Sequence, residues 1–127
     1  MKTYDDVYKT AGAFSWNELT TGNPDAAATF YGQLFDWRFE KMDMGMPYHV
    51  VKTTEGTAVA GIMGKPPGAE TMPSAWGSYV TVTDADAAAK RCVELGGKVL
   101  NEPMDVPTVG RFAVLQDPQG AVFCVMA

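Results

Sequence analysis

An internal repeat constrains the fold of this 127-residue chain more than any other feature of its sequence. Residues 83–97 repeat the pattern of residues 23–36: an Asp-Ala-Ala-Ala run recurs, and Leu34 corresponds to Leu95, 61 positions later. Self-similarity at a fixed spacing indicates that one structural unit occurs more than once. The chain is therefore expected to fold as two halves with the same order of helices and strands.

Each copy contains an amphipathic helix that follows a strand pattern. In the first copy, apolar residues recur at helical spacing, at Ala27, Phe30, Tyr31, Leu34 and Phe35. Asn23 is suited to cap this helix, and Pro24 follows where its missing N–H is harmless. The stripe predicts an aromatic helix face that packs on a sheet. The second helix is expected to stop at Gly96 and Gly97, a left-handed end that Asp36 does not supply in the first.

Three strand patterns follow each helix. They cover residues 38–42, 48–53 and 58–63 in the first half, and residues 98–101, 111–115 and 121–126 in the second. Both halves therefore read βαβββ, and the predicted fold class is α+β with two curved mixed sheets. Residues 65–74 have the Pro and Gly content of a linker. We expect a single domain, with module one at about 12–64 and module two at about 75–127.

Composition and charge narrow the range of partners. The formal net charge is −5 and no basic run occurs, so a nucleic-acid partner is not expected. No apolar stretch approaches the length of a membrane span, and the first residues do not resemble a signal peptide. Cys92 and Cys124 lack metal-type spacing, so we interpret them as buried, reduced thiols in a cytoplasmic protein.

Two motifs carry a resemblance to a known superfamily. N-P-D-x-A-x-x-F-Y begins at Asn23, and D-P-x-G begins at Asp117 before the last strand. Together with the tandem βαβββ modules they resemble the vicinal-oxygen-chelate superfamily, which contains glyoxalase I, bleomycin-resistance and extradiol-dioxygenase proteins. The resemblance covers about residues 12–127, and residues 15–37 and 109–121 look most similar to a glyoxalase-like branch. It implies that the paired sheets form a shared cup.

The resemblance also implies where a divalent metal would be bound. In the enzymes of this superfamily, His, Glu or Gln occupy four slots on the first and last strands of the modules. In this sequence the slots correspond to Trp16, Gly61, Gly77 (or Ser78, if one residue is inserted) and Cys124. None of these is a histidine or a carboxylate, the side chains that bind a hard divalent ion. We therefore expect no metal site and no cofactor.

The first strand supplies the main candidates for ligand contact. Strand alternation places Trp16, Glu18 and Thr20 on one face, which the slot correspondence identifies as the face towards the cup. A carboxylate beside an indole in a partly apolar cavity is suited to act as a general base or a hydrogen-bond anchor. Glu18 has the alternative of being a solvated residue at the strand edge.

Other candidates come from the remaining strands. By parity Tyr79 and Thr81 share the face towards the cup, and Cys124 either lines its floor or fills the core. Arg111 is placed to pair with an anionic ligand or merely with a surface acid. His49 is the only histidine, and it is either a base or metal ligand, or a hydrogen-bonded residue without a functional role.

The leading hypothesis is a metal-free, glyoxalase-like protein that binds a small organic ligand. Trp16 would stack on the ligand, Glu18 and Tyr79 would hydrogen-bond it, and Cys124 would line the floor. The alternative is a lyase, isomerase or dioxygenase that uses a displaced divalent-metal site or a Glu18/His49 acid–base pair. A third possibility is a dimerisation module whose cup is filled by its own side chains. We expect a homodimer, because a second copy can cover exposed sheet edges.

Overall fold

The first half of the chain contains all the elements that its sequence predicts. A computed structural model describes residues 9–43, 47–65, 68, 70–106 and 110–127. The elements of the first half are β1 (Phe14–Thr21), α1 (Pro24–Phe35), β2 (Arg38–Asp43), β3 (Pro47–Lys52) and β4 (Ala58–Gly64). The observed strand ends lie within one residue of the predicted ends of the last three strands.

The second half repeats this order. Its elements are β5 (Ala75–Thr81), α2 (Ala85–Glu94), β6 (Lys98–Val106), β7 (Gly110–Gln116) and β8 (Val122–Met126). Strand β6 continues well beyond the predicted stretch 98–101 and contains two irregularities in its pairing with β7. Both halves are βαβββ, so the predicted α+β class with two such modules is confirmed.

Both helices begin at equivalent caps. The side chain of Asn23 accepts a hydrogen bond from the backbone N–H of Ala26 at 3.0 Å, and Asp84 accepts one from Ala87 at 3.0 Å. These bonds satisfy amides that the first turn leaves without partners. The predicted cap of the first helix is confirmed, and Asp84, its repeat equivalent, caps the second helix in the same way.

The C-terminal ends of the helices resemble each other more than the sequence suggests. Gly96 follows α2 with a φ of 96°, as expected for a glycine stop. Asp36 follows α1 with a φ of 58°, so it adopts the left-handed conformation itself. The expectation that the first helix lacks this stop was wrong, because Asp is one of the few residues besides Gly that tolerate this region.

The four strands of each half pair with the same topology, and we refer to each set of four as the sheet of that half. In the first half the strand order is β2-β3-β4-β1, with β1 and β4 parallel and the other pairs antiparallel. In the second half the order is β5-β8-β7-β6, with β5 and β8 parallel. In each sheet the parallel pair joins the first and last strands of one βαβββ module.

Each helix packs on one face of its own sheet. The core beneath α1 consists of Leu19, Val51, Ala60 and Ile62, with Ala27 and Tyr31 of the helix against it. The core beneath α2 consists of Ala85, Ala89, Ala113, Leu115 and Val125. The opposite face of each sheet carries the candidate ligand-binding residues other than Arg111, which lies on the helix side.

The predicted packing of α1 is only partly correct. Ala27 and Tyr31 contact the core, but Phe30 is 58% exposed, Leu34 57% and Phe35 52%. No residue of α1 is buried, whereas α2 buries Ala85 and Ala89. Much of the aromatic stripe therefore points away from the sheet on which it was expected to pack.

Backbone contacts divide the chain into two compact units. One is Trp16–Gly77, and the other is Ser78–Ala127 with the segment that ends at Ser15. The prediction of a single domain whose modules share a cup stays a prediction, and Pro66, Pro67 and Ala69 of the expected linker lie outside the described residues. Within the described chain, neither helix is long and apolar enough to span a membrane.

Candidate functional site

The face of the first sheet opposite α1 carries a chain of three polar side chains. The indole Nε1–H of Trp16 donates a hydrogen bond to the Tyr48 hydroxyl at 3.1 Å. The Tyr48 hydroxyl in turn donates to Oε2 of Glu18 at 2.7 Å. All three side chains are partly buried. We call this arrangement the Trp16–Tyr48–Glu18 chain.

Strand alternation explains why these residues meet. Leu19 lies in the core beneath α1, so its neighbours Glu18 and Thr20 point to the opposite face. Glu18 is level with Gly61 of β4, and Thr20 is level with Met63. The predicted grouping of Trp16, Glu18 and Thr20 on one face therefore holds in the structure, while their part in ligand binding stays a prediction.

Gly61 provides the space that the Tyr48 ring occupies. A Cβ atom added at Gly61 would overlap the hydroxyl and the ring of Tyr48. The phenol therefore lies directly over the backbone of β4, between Trp16 and Glu18. Any other residue at position 61 would displace it. Gly61 thus has a steric role in the Trp16–Tyr48–Glu18 chain.

Burial and charge both keep the phenol protonated. Desolvation by burial, followed by the nearby Glu18 carboxylate, raises the pKa of Tyr48 above its ordinary value of 10.0. At neutral pH the hydroxyl is therefore a donor to Glu18 and an acceptor from Trp16. The site combines an apolar indole, a neutral phenol and a carboxylate on one surface.

Sequence reasoning missed Tyr48. Its position next to His49 was visible, and alternation places the two residues on opposite faces of β3. The register between β1, β3 and β4 was needed to bring the phenol against Glu18. In the sequence Gly61 stands out as a slot without a metal ligand, but a glycine within a strand also signals that another ring can lie close to the backbone there.

His49 lies on the helix side of the sheet. It is 4% exposed, and its Nε2 is 3.0 Å from Oδ1 of Asp25 in the first turn of α1. Its ring also meets Phe39 edge-on. Nδ1 has no hydrogen-bond partner among the described residues. Since Glu18 lies on the opposite face, the structure separates the two residues that the alternative hypothesis pairs as acid and base.

The corresponding face of the second sheet carries Tyr79 and Cys124. The two residues are directly level in the parallel β5–β8 pair, and Tyr79 is 7% exposed. The ring of Tyr79 is 6.5 Å from that of Phe112, measured between centroids. Thr81 follows on β5, and its backbone exchanges hydrogen bonds with Gly12 and Ala13. For Tyr79, Thr81 and Cys124, ligand binding stays a prediction.

Arg111 is bound by acidic side chains of its own unit. Its Nε and Nη2 donate to the two carboxylate oxygens of Asp86 at 2.7 and 3.0 Å, and Nη1 donates to Asp105 at 3.1 Å. The hydrogen bond from Arg111 lowers the pKa of the Asp86 carboxyl. The sequence left open whether Arg111 pairs with an anionic ligand or with a surface acid. In the structure it pairs with surface acids. Asp86 holds Arg111 to α2 and Asp105 holds it to β6, on the side of the sheet away from Tyr79.

The described residues do not fit the metal site that the resemblance implies. Nowhere in the described ranges do three His, Cys, Asp or Glu side chains come together in a way that could hold a metal ion. Trp16 and Gly61, two of the four slot positions, instead both contact the Tyr48 phenol. A neutral phenol with a raised pKa is a poor ligand for a hard divalent ion.

Comparisons with known proteins agree with this architecture. A sequence model of the Glyoxalase/Bleomycin resistance protein/Dioxygenase superfamily matches residues 13–125. The protein CFP32 of Mycobacterium tuberculosis (strain CDC 1551 / Oshkosh), whose name associates it with the glyoxylases, is 44% identical over 91% of this chain and 44% of its own length. The anthracycline biosynthesis protein DnrV of Streptomyces peucetius is 38% identical over 90% of the chain and 46% of its own length. The chain thus spans about half the length of these curated relatives.

Solved structures share the fold at low sequence identity. The hypothetical protein BH1468 of Bacillus halodurans C-125 superposes with a TM-score of 0.69 at 11% identity, covering 92% of this chain and 94% of that protein. Methylmalonyl-CoA epimerase from Mycobacterium tuberculosis gives a TM-score of 0.63 at 13% identity, covering 92% and 90%. At these identities the likeness concerns the fold alone.

Proposed function

Since the chain belongs to the Glyoxalase/Bleomycin resistance protein/Dioxygenase superfamily, we propose that it binds a small organic molecule without the help of a metal ion. The observation that carries this proposal is the Trp16–Tyr48–Glu18 chain. It places an aromatic surface and a hydrogen-bonding carboxylate side by side on the sheet face opposite α1. Binding sites for small molecules combine apolar walls with a few such placed polar groups.

The arrangement of Tyr48 supports a metal-free mode of binding. Two slot positions of the superfamily are taken by Trp16 and Gly61, and the phenol of Tyr48 contacts both of them. A hydrogen-bonded phenol gives the site a neutral polar centre where a metal-dependent enzyme would carry a cation. The polar centre then recognises its ligand by hydrogen bonds and stacking rather than by coordination.

The chemistry of the site favours an aromatic ligand that carries hydroxyl or amino donors. The indole of Trp16 offers a stacking surface, and the carboxylate of Glu18 accepts hydrogen bonds. The name of the relative DnrV refers to anthracycline biosynthesis, and anthracyclines are planar aromatic compounds of this class. We therefore choose an anthracycline, doxorubicin, as the first probe.

Fluorescence titration with doxorubicin tests the proposal. We expect Glu18→Gln and Tyr48→Phe each to weaken binding at least about tenfold, because each removes a charged or polar partner from a partly buried hydrogen-bond chain. Glu55→Gln makes the same chemical change at an exposed turn and serves as the matched control. Equal affinities for the wild type, Glu18→Gln and Tyr48→Phe would contradict the proposed site.

Two further expectations accompany this function as proposals. Location in the cytoplasm is proposed from Cys92 and Cys124, which are partly buried rather than fully buried as expected and belong to no group of three metal-binding side chains in the described ranges. Assembly as a homodimer is proposed because a second copy can cover exposed sheet edges.

A further inference from the structure

A cavity lies between α2 and β6, the last strand in the order β5-β8-β7-β6. Its volume is about 210 Å³. Cavities that hold drug-sized ligands measure ~300–1,000 Å³, so this one suits a smaller molecule. The apolar part of its lining is aliphatic and consists of Ala89 and Val93, four residues apart on one face of α2, with Val99 and Pro103 of β6. We call this space the α2–β6 cavity.

A β-bulge in β6 shapes one wall of the α2–β6 cavity. Between Asn101 and Met104 the register of β6 against β7 shifts by one residue. Glu102 and Pro103 therefore both stand opposite Ala113, which is the arrangement of a β-bulge. Ala113 belongs to the core beneath α2. The bulge thus brings both residues to the helix side of the sheet, where they line the cavity.

The corresponding strands of the first half pair without a bulge. Each residue of β2 from Arg38 to Asp43 has a single partner in β3. The internal repeat is therefore broken at the strand that lines the α2–β6 cavity. Bulges are concentrated at sheet edges and next to active sites, where they redirect a side chain. The side chain redirected here is that of Glu102, an acid on the rim of the cavity.

Two opposite charges on this rim have no partner among the described residues. Lys90 of α2 and Glu102 of β6 are both exposed, and the side chain of neither forms an ion pair with a described residue. Asp86 also lines the cavity, but both of its carboxylate oxygens accept hydrogen bonds from Arg111. The α2–β6 cavity thus presents one ammonium group and one carboxylate together with an aliphatic surface.

From these observations we infer that the α2–β6 cavity binds a free α-amino acid with a branched aliphatic side chain. Such a molecule carries an ammonium group and a carboxylate on one carbon atom, so Glu102 binds the ammonium group and Lys90 binds the carboxylate. The aliphatic side chain lies against Val93 and Val99, and the small cavity favours it over a large aromatic one. The inference does not rest on the proposed function, because the Trp16–Tyr48–Glu18 chain belongs to the other compact unit.

Titration with L-leucine, followed through the NMR chemical shifts of the backbone amides, tests the inference. We expect saturable shifts of amides in α2 and β6. Two analogues separate the charges, since isocaproate keeps only the carboxylate and isoamylamine keeps only the ammonium group. Each is expected to bind at least about threefold more weakly than L-leucine, because each loses one exposed ion pair. Equal binding of all three would show a site for an aliphatic group alone, and it would overturn the inference, as would the absence of shifts with L-leucine.

Variants without one of the two charges identify the residues that bind L-leucine. Lys90→Met and Glu102→Gln are each expected to raise the Kd for L-leucine at least about threefold. Lys98→Met and Glu94→Gln are the matched controls, because they remove the same charges at exposed positions that do not line the cavity. Lys90→Met is expected to leave the Kd for isoamylamine unchanged, and Glu102→Gln that for isocaproate. Variants that bind L-leucine as tightly as their controls would overturn the assignment of the two charges.

Discussion

At the scale of single residues, the position of Tyr48 depends on a neighbour without a side chain. The phenol lies over Gly61 and links Trp16 to Glu18. Parity along β1 was sufficient to predict that Trp16 and Glu18 share a face. The role of Tyr48 could not be predicted, because it depends on the register of three strands. Arg111 was ambiguous for a similar reason, since Asp86 lies 25 residues away in sequence and Asp105 meets Arg111 through the pairing of β6 with β7.

Replacement of Gly61 tests this steric relationship. We expect Gly61→Ala to lower the free energy of unfolding by about 1–3 kcal/mol, the usual cost of inserting an atom into occupied space. Gly64→Ala is the control in the same strand, because an added Cβ there meets only Pro24 at 3.9 Å. Urea denaturation measures both. A Tyr48→Ala change in the Gly61→Ala protein is expected to recover part of the loss, and equal stability of Gly61→Ala and Gly64→Ala would refute the steric account.

The protonation of Tyr48 leads to a pH-dependent stability. Burial and the Glu18 carboxylate raise the pKa of Tyr48 in the folded chain above its ordinary value of 10.0. Its contribution to stability is therefore complete below about pH 10 and is lost as the pH rises further, because the unfolded phenol ionises first. We expect the free energy of unfolding to fall more steeply above about pH 10 in the wild type than in Tyr48→Phe. Parallel pH profiles for the two proteins would show that Tyr48 is not shielded in this way.

At the scale of elements, local signals were sufficient to predict both helices and all eight strands. The caps, the turn residues and the alternation of apolar positions are short-range features, and they act in the same way in both copies. The packing of α1 was predicted less well. Only Ala27 and Tyr31 of its apolar stripe pack on the core of the sheet. Phe30, Leu34 and Phe35 remain exposed. Periodicity indicates which residues avoid water, but it does not indicate whether the same chain covers them.

Equivalent caps are expected to have equivalent effects. Asn23→Ala and Asp84→Ala each remove the side-chain acceptor of a first-turn amide, and each is expected to lower the free energy of unfolding by about 0.5–2 kcal/mol. Hydrogen exchange is expected to increase in α1 for Asn23→Ala and in α2 for Asp84→Ala. Gln33→Ala, an exposed change within α1, is the control. Exchange that rises equally in both helices for both variants would contradict the separate capping of each unit.

At the scale of the whole molecule, the repeat was the most informative feature of the sequence. It predicted two βαβββ modules, and the same four-stranded topology occurs in both units. The family follows from the match over residues 13–125. The identity of the ligand does not follow from the match, because one fold of this kind supports several chemistries. Side chains at a few positions decide between them. In this chain the face of the first sheet opposite α1 carries an indole, a phenol and a carboxylate that are joined by hydrogen bonds.

The metal content of the tag-free protein tests the central claim most directly. The protein is incubated with zinc, nickel, manganese and ferrous ions in turn, freed of excess metal, and measured by elemental analysis for wild type and Glu18→Gln. A polar centre built on the Tyr48 phenol predicts no stoichiometric metal in either protein under any of these conditions. One chelator-sensitive ion per chain in the wild type, lost in Glu18→Gln, would show that the Trp16–Tyr48–Glu18 chain is part of a metal site.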